Sequence, residues 1–247
     1  MKDRLRVILS WFYPVLLGFL VISCKQDQKS TRDFSSGKEV KISYATGFEI
    51  TAYPDFSLIT VTEAFPDSDK NYRYALLKKG KTLPDSLHPD AVVTVPVTSI
   101  VVTSTTHIPS LEMLGVENTL KGFPNLDYIS SEKTRKLIET GEVEELGQNE
   151  SINTETTINL DPDVVVSFGV EGENKTLNSL QRAKIPVVYN GDWVEHSPLG
   201  KAEWIKFFAA FYGKQQMADS IFNSIVSNYN KIKQKVANTT KNPTVLS

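Results

Sequence analysis

Residues 189–236 read YNGDWVEHSPLGKAEWIKFFAAFYGKQQMADSIFNSIVSNYNKIKQKV, and this stretch decides the fold. A polar and aromatic loop comes first. Ser197 and Pro198 then have the sequence of a helix start, because a hydroxyl can cap the first turn and proline is accepted at the first helical position. Apolar residues recur every three or four positions, pause at Gly213 and resume over Met217–Val236, as on one face of a helix. At about 1.5 Å per residue the second helix would be roughly 35 Å long, the width of a small domain.

The long helix is followed by little further sequence. Pro243 turns the chain, and residues 244–247 begin an apolar run of the kind that opens a strand. A long helix between one domain and the start of a strand indicates a connector between two lobes. We therefore expect residues 198–238 to form a linking helix and residues 239–247 to begin a second lobe that is truncated.

The first lobe is expected at residues 39–197, and its first part has the pattern of β-structure. Four runs of alternating or β-branched residues are separated by turn signals, which predicts antiparallel strands in a small sheet at the edge of the lobe. The runs are Val40–Tyr44, Phe48–Tyr53, Leu58–Thr62 and Tyr72–Leu77.

From Ala91 the pattern changes to strands that alternate with helices, which predicts a parallel sheet covered by helices. The predicted strands include Ala91–Val95, Ile100–Thr103, Val164–Ser167 and Pro186–Tyr189. The predicted fold class is therefore α/β: a parallel-sheet lobe with an N-terminal antiparallel β segment and a long linking helix.

The order of these motifs resembles the cobalamin- and iron-chelate-binding proteins of bacterial ABC importers. Glu195–Phe207 carries the most specific part of the likeness and Leu160–Val166 a weaker part. The resemblance implies a two-lobed periplasmic-binding-protein fold, in which one rigid helix joins the lobes and the ligand lies between them. It also implies a monomer that delivers an iron chelate (siderophore or haem) or cobalamin to a membrane permease. Iron or cobalt would come with the ligand, and no cofactor of the protein's own is expected.

The beginning of the chain has the pattern of a bacterial lipoprotein signal. Three positive residues precede the uncharged stretch Val7–Ser23, and Val21–Cys24 fits the motif at which such a precursor is cut and lipidated on cysteine. An uncleaved anchor helix is the alternative, but the 17 uncharged residues contain Pro14 and are short for a span of about 20. We expect a signal peptide at 1–23 and a flexible, lipidated tether at 24–38. The mature protein would then be anchored in the cell envelope outside the cytoplasmic membrane.

The charge of the chain and its motifs indicate which classes of function are not expected. The chain has 247 residues, enough for one or two domains, and a net charge of −2 with 27 basic and 29 acidic residues. Nucleic-acid binding is not expected, because it needs a basic stripe. The sequence also lacks the motifs of serine hydrolases, P-loop proteins and zinc metalloproteases, so nothing supports an enzyme.

Ligands of open α/β sheets bind at the carboxyl ends of the strands. The loops that follow three predicted strands are residues 103–107, 168–173 and 190–196, and the resemblance places the same loops at the cleft. The candidate ligand-binding residues in these loops are Thr105, Thr106, His107, Gly169 and Trp193.

Trp193 is the strongest candidate, because aromatic faces stack well on flat macrocycles and catecholates, and Gly191 would let its loop adopt unusual backbone angles. His107 stands at a strand-to-helix junction, where it could donate to a carboxylate or ligate haem iron. Thr105 and Thr106 offer hydroxyls and amides in the same loop. Each candidate has a structural alternative: Trp193 folded back onto the lobe, His107 bonded locally, and Thr106 capping the next helix.

A bare metal-ion site is not expected. Such a site needs three or four converging ligands, and His88 lies before the α/β part of the chain begins, apart from His107 and His196.

Glu171 and Glu173 are the candidates for contact with a permease. In the family that the chain resembles, a surface glutamate of each lobe meets arginines of the permease, a pairing that the forked guanidinium makes directional. The sequence does not choose between Glu171 and Glu173, and an exposed acid without a partner is the alternative.

Two other functions stay open at the level of sequence. The chain could be a surface lipoprotein that uses an α/β lobe for contacts with proteins, or a chelatase-like enzyme of similar fold. Clusters of Cys and His would favour the enzyme, and the single cysteine, Cys24, gives none.

Overall fold

The computed structural model describes residues 37–149, 151–169 and 174–237, together with Thr239 and Thr244. These residues belong to one compact unit, Phe34–Ser247. The expected signal peptide, Cys24, Glu171 and Glu173 lie outside the described residues. Within the described ranges, no helix is both long enough and apolar enough to cross a membrane.

The N-terminal part forms a five-stranded sheet, here called the first sheet. Its strands are β1 (Lys38–Glu39), β2 (Phe48–Ala52), β3 (Phe56–Val61), β4 (Tyr72–Lys78) and β5 (Ala91–Val95), in that order. Neighbouring strands are antiparallel except for β4 and β5, which run parallel. The prediction that Ala91–Val95 belongs to the parallel sheet is therefore wrong, and the first sheet is larger than the small edge sheet that was expected.

The predicted strand at Val40–Tyr44 is also wrong. Lys38 and Glu39 pair with β2, and the Val40 amide still donates to the Ile50 carbonyl at 2.9 Å. Beyond them the backbone amides of Ser43, Tyr44 and Ala45 point to a buried carboxylate instead of a neighbouring strand.

The second sheet is parallel throughout, as predicted. Its strands lie in the order β12, β11, β6, β7, β8. Their bounds are β6 (Ile100–Val102), β7 (Leu120–Phe123), β8 (Glu144–Glu145), β11 (Val164–Phe168) and β12 (Val187–Asn190). A separate two-stranded hairpin is made by β9 (Gly147–Gln148) and β10 (Ser151–Ile152).

Helices connect the parallel strands, and three of the four named here begin at capping side chains. Their bounds are α1 (Ile108–Met113), α2 (Glu132–Glu139), α3 (Thr154–Leu160) and α4 (Lys175–Arg182). Single 3-10 turns occur at Thr105–His107, Glu117–Thr119 and Leu126–Tyr128. Ser131, Asn153 and Asn174 each accept a backbone N–H of the first helical turn, which satisfies donors that a helix start leaves free.

Residues 198–237 form three helices rather than one linking helix. They are α5 (Pro198–Glu203), α6 (Ile205–Tyr212) and α7 (Gln215–Ala237). Ser197 caps α5 as predicted, and Gly213 ends α6 in the left-handed conformation, with φ 66°. Of the 23 residues of α7, only Ala218 and Phe222 are buried, so α7 alone has the exposed character of a connector.

Helix α6 lies between the two sheets. Phe207 contacts Phe48 of β2, with ring centroids 6.1 Å apart, whereas Phe208 contacts His107 beyond the end of β6 at 5.3 Å. Buried residues of both sheets and of α6 form one continuous core. The predicted apolar residues of α6 are thus buried against both sheets, and α6 fixes the first sheet relative to the second.

Candidate ligand-binding site

Three adjacent parallel strands, β6, β11 and β12, end at the same edge of the second sheet. The loops after them are joined near their starts. The Thr103 amide donates to the Val166 carbonyl (3.1 Å), and the Phe168 amide donates to the Thr103 hydroxyl (3.2 Å). The structure therefore brings together the starts of the three loops that the sequence singled out, although residues 170–173 are not described.

The side chains of Thr105 and Thr106 are exposed at this edge. Ser104, not Thr106, caps the 3-10 turn here: its hydroxyl accepts the Thr106 amide at 3.3 Å and lies 2.8 Å from the Thr106 hydroxyl. Because Ser104 takes the structural role, the hydroxyl of Thr105 remains at the surface. Contact of Thr105 and Thr106 with a ligand stays a prediction.

His107 lies beneath this surface. Its side chain is fully buried, and neither ring nitrogen has a hydrogen-bond partner among the described residues. Burial disfavours the charged imidazolium and lowers the pKa of His107 to about 4, although the nearby Asp192 and Asn190 act in the opposite direction. In this position His107 is a neutral imidazole under the loop, and direct contact with a ligand would require it to move.

Asn190 and Asp192 complete a buried polar cluster with His107, which we call the sub-loop cluster. Asn190 Nδ2 and Asp192 Oδ1 are buried and have no partner within the described part of the chain. The backbone amide of Asp192 donates to Asn190 Oδ1 at 2.9 Å. This bond fixes the side-chain amide of Asn190, so that its Nδ2 is directed away from the Asp192 backbone. Buried polar groups are nearly always paired, and a bound water can supply the missing bonds. An amide donor, a carboxylate acceptor and an imidazole that can do either suit a bridging water.

The sequence indicates the loop 190–196 as part of the site, but it does not indicate Asn190 or Asp192 as individual site residues. The available signal was the placement of polar residues directly after the buried apolar strand. The burial of His107 is not visible in the local sequence, because Phe208, which packs against it, lies about a hundred positions further along the chain.

Two glycines allow the first sheet to reach this edge. A Cβ atom on Gly191 would lie 1.9 Å from the Glu63 carbonyl oxygen, and one on Gly169 would lie 2.7 Å from the Phe65 ring. Gly191 is not among the described glycines with positive φ. The predicted reason for Gly191, an unusual backbone angle, is therefore wrong. Close approach of the chain after β3 requires glycine at both positions.

Trp193 lies in the loop after β12, and 37% of its surface is exposed. Its carbonyl accepts Lys201 Nζ at 2.8 Å, and the Val194 amide donates to the Gly191 carbonyl, so the loop backbone is held in a turn. A fixed loop with an accessible indole is the form expected of a residue that stacks on a ligand. That role stays a prediction.

The exposed histidines do not extend the site. His88 and His196 are both exposed. Nowhere in the described ranges do three or more His, Cys, Asp or Glu residues lie where they could hold a metal ion.

Two glutamates of the segment Glu195–Phe207 bind the backbone between β1 and β2. Glu203 accepts the amides of Ser43, Tyr44 and Ala45 at 2.6–3.0 Å. Glu195 accepts the amides of Thr46 and Gly47, each at 2.9 Å, and the Trp204 indole N–H at 3.0 Å. We call this pair of carboxylates and the segment 43–47 the carboxylate clamp.

Lys206 supports the clamp, because its ammonium donates to Glu203 at 2.9 Å. Burial acts to raise the pKa of Glu203, but the bond from Lys206 and the three backbone amides lower it below its ordinary value. The clamp therefore holds a charged, buried glutamate that ties the first sheet to α5. The segment that carries the most specific part of the family resemblance thus has a structural role.

The part of the chain from β6 onwards matches a family model. Residues 100–247, more than half of the chain, match the family described as "Periplasmic binding protein". The chain belongs to the periplasmic binding protein family. The match covers the parallel sheet, the site edge and the helices after it, and begins after the first sheet.

Two curated relatives of this periplasmic binding protein are lipoproteins by name. It is similar to the uncharacterized lipoprotein MJ0872 of Methanocaldococcus jannaschii, with 24% identity over 94% of this chain and 63% of the relative. A second lipoprotein of that organism, MJ0878, is 28% identical over 61% of this chain and 38% of the relative. The chain therefore spans less than two thirds of the length of these relatives.

Solved structures share part of the fold. The periplasmic haem-binding protein HutB of Vibrio cholerae matches with a TM-score of 0.47 and 18% identity, over 59% of this chain and 52% of HutB. The triscatecholate siderophore-binding protein FeuA of Bacillus subtilis matches with a TM-score of 0.47 and 19% identity, over 58% of this chain and 47% of FeuA. Similarity at this level decides nothing about the ligand.

Proposed function

We propose that this chain is the solute-capturing part of an ABC importer. It would act outside the cytoplasmic membrane, bind an iron chelate (siderophore or haem) or cobalamin, and deliver it to a membrane permease. Membership of the periplasmic binding protein family supports capture of a solute. The choice of ligand class rests on the sequence resemblance.

The observation that carries the proposal is the carboxyl edge of β6, β11 and β12. Exposed hydroxyls of Thr105 and Thr106 and the exposed indole of Trp193 stand on loops after two of these strands. Carboxyl ends of parallel strands are where α/β proteins bind ligands. An aromatic face with nearby hydroxyls suits a large, flat and partly polar chelate. The ligand would be sandwiched between this edge and a second lobe of the complete protein.

Calorimetry on the complete protein with haem, a ferric catecholate siderophore and cobalamin tests the proposal. We expect saturable binding of one of the three. Trp193→Ala should weaken it by roughly tenfold to a hundredfold, about 1–3 kcal/mol, because a stacking partner is lost. Trp193→Phe should retain most of the affinity.

Tyr229→Ala is the matched control, because Tyr229 is similarly exposed, at 39%, but lies on α7 and not on a loop at this edge, so its loss should leave the affinity unchanged. An affinity within twofold of the parent for Trp193→Ala would remove Trp193 from the cleft. Failure of all three ligands to bind would overturn the ligand assignment and leave the surface-lipoprotein function as the next to test.

Delivery to a permease is proposed to use Glu171 or Glu173. Reversal of the docking glutamate to lysine should reduce stimulation of the transporter's ATPase without changing solute affinity, because a directional pair with arginine is lost. The two single variants, Glu171→Lys and Glu173→Lys, measured in reconstituted vesicles, identify which position docks. Normal stimulation by both variants would contradict the docking role.

A further inference from the structure

The layer between the first sheet and α6 is open at one end. Helix α6 ends at Tyr212, and Gly213 turns the chain into α7. A cavity of about 840 Å³ lies at the open end, lined by the ends of β2, β4 and β5 and by the turn between α6 and α7. Its size is within the range of small-molecule sites, about 300–1,000 Å³.

The floor of the cavity is mostly apolar and includes two short side chains, Ala52 and Ser57. Ala52, Ser57 and Leu76 are direct neighbours across β2, β3 and β4, and all three line the cavity. Val95 and Ala210 extend the lining on the two sides. Because Ala52 and Ser57 are short, the sheet leaves space where larger residues would fill the layer.

The rim of the cavity is basic. Lys38, Lys41 and Lys79 line it, are exposed, and make no ion pair within the part of the chain that the structure describes. Two acids also line the cavity: Glu39 is exposed, and Asp219 is paired with Lys206 at 3.4 Å. The cavity is lined by more lysines than acids, namely Lys38, Lys41, Lys78 and Lys79, so its lining is net positive although the whole chain has a net charge of −2.

We infer that this cavity binds a single-chain amphiphile with an anionic headgroup, of the fatty-acid class. An alkyl chain would gain free energy by leaving water for the apolar floor. A carboxylate at its end would meet the unpaired ammonium groups of the rim. The cavity is lined by none of the candidate ligand-binding residues, so the inference does not depend on the proposed solute.

Displacement of a fluorescent fatty-acid probe by laurate, below its micellar concentration, tests the inference on the complete protein. We expect saturable displacement by laurate and none by dodecylamine, which has the same chain and the opposite charge. The double variant Lys41→Glu/Lys79→Glu should weaken laurate binding by about tenfold or more, because attraction becomes repulsion. Ser57→Leu, which fills the floor, should weaken it independently of charge.

Lys184→Glu is the control for a charge reversal outside this cavity and should bind laurate like the parent, as should Trp193→Ala. Thermal unfolding establishes that each variant is folded. Absence of saturable displacement, equal competition by dodecylamine, or a double variant within twofold of the parent would each overturn the inference. Binding to anionic vesicles without binding of free laurate would also overturn it and would indicate a basic surface alone.

Discussion

At the scale of single residues, His107 of the buried sub-loop cluster makes the stability of the protein depend on pH. Its pKa is about 4 in the folded protein and about 6.5 in an unfolded chain. Between these values the unfolded state binds more protons, so the free energy of unfolding falls as the pH is lowered. The contribution of the neutral His107 to the free energy of unfolding is fully present above pH 6.5 and is lost towards pH 4. The total loss is about 3 kcal/mol.

We predict that His107→Gln removes this part of the pH dependence. Urea unfolding of parent and variant at several pH values from 7 to 4 measures it, and the difference between the two profiles separates His107 from the carboxylates. His88→Gln, at an exposed histidine, should keep the parent's profile. Parallel profiles for His107→Gln and the parent would show that His107 is not held neutral in the folded protein.

At the scale of elements, the carboxylate clamp decides how the first sheet is attached. Glu203→Ala would leave three backbone amides without their partner and would remove the buried carboxylate beside Lys206, whose ammonium would keep only the Lys41 carbonyl and the exposed Asp219. We expect a loss of about 3–5 kcal/mol in the free energy of unfolding, as for other buried pairs that lose one member. Because the pKa of Glu203 is lowered, its contribution is present above the ordinary glutamate pKa and is lost as the pH falls through the folded value.

Hydrogen exchange distinguishes the clamp from general destabilisation. The amides of residues 43–45 should exchange much faster in Glu203→Ala, while those of β11 in the parallel sheet keep their protection. Glu155→Ala, at an exposed position of α3, should change neither. Unchanged protection at 43–45 would refute the clamp.

The same elements show what local patterns can predict. Alternating apolar residues predicted β2, β3 and β4, and runs of valine and isoleucine predicted β6, β11 and β12. These predictions succeed because the burial of each strand is visible in its own sequence. Val40–Tyr44 alternates as well, yet its backbone is occupied by Glu203, which no short-range pattern reveals. Strand β5 has a suitable pattern for either sheet, and only tertiary packing assigns it to the first.

At the scale of the whole molecule, the expected lipid anchor determines where the protein works. Cys24 follows a basic and then apolar start, and it is the chain's single cysteine. We predict that cells expressing the protein incorporate labelled palmitate into it and that Cys24→Ala abolishes the label, because no other thiol exists in the sequence. Persistence of the label in Cys24→Ala would contradict the anchor.

The carboxylate clamp also constrains the order in which the chain can fold. Between 148 and 160 residues separate the amides of the clamp from the carboxylates that bind them. A contact over such a separation closes a long loop, whose entropy must be lost before the bonds form. Synthesis proceeds from the N-terminus, so Ser43–Gly47 is made long before Glu195 and Glu203. The segment Ser43–Gly47 can therefore be fixed by the clamp only after residues 195–203 have been made, whereas the pairing of β2, β3 and β4 involves only strands that are neighbours in the sequence.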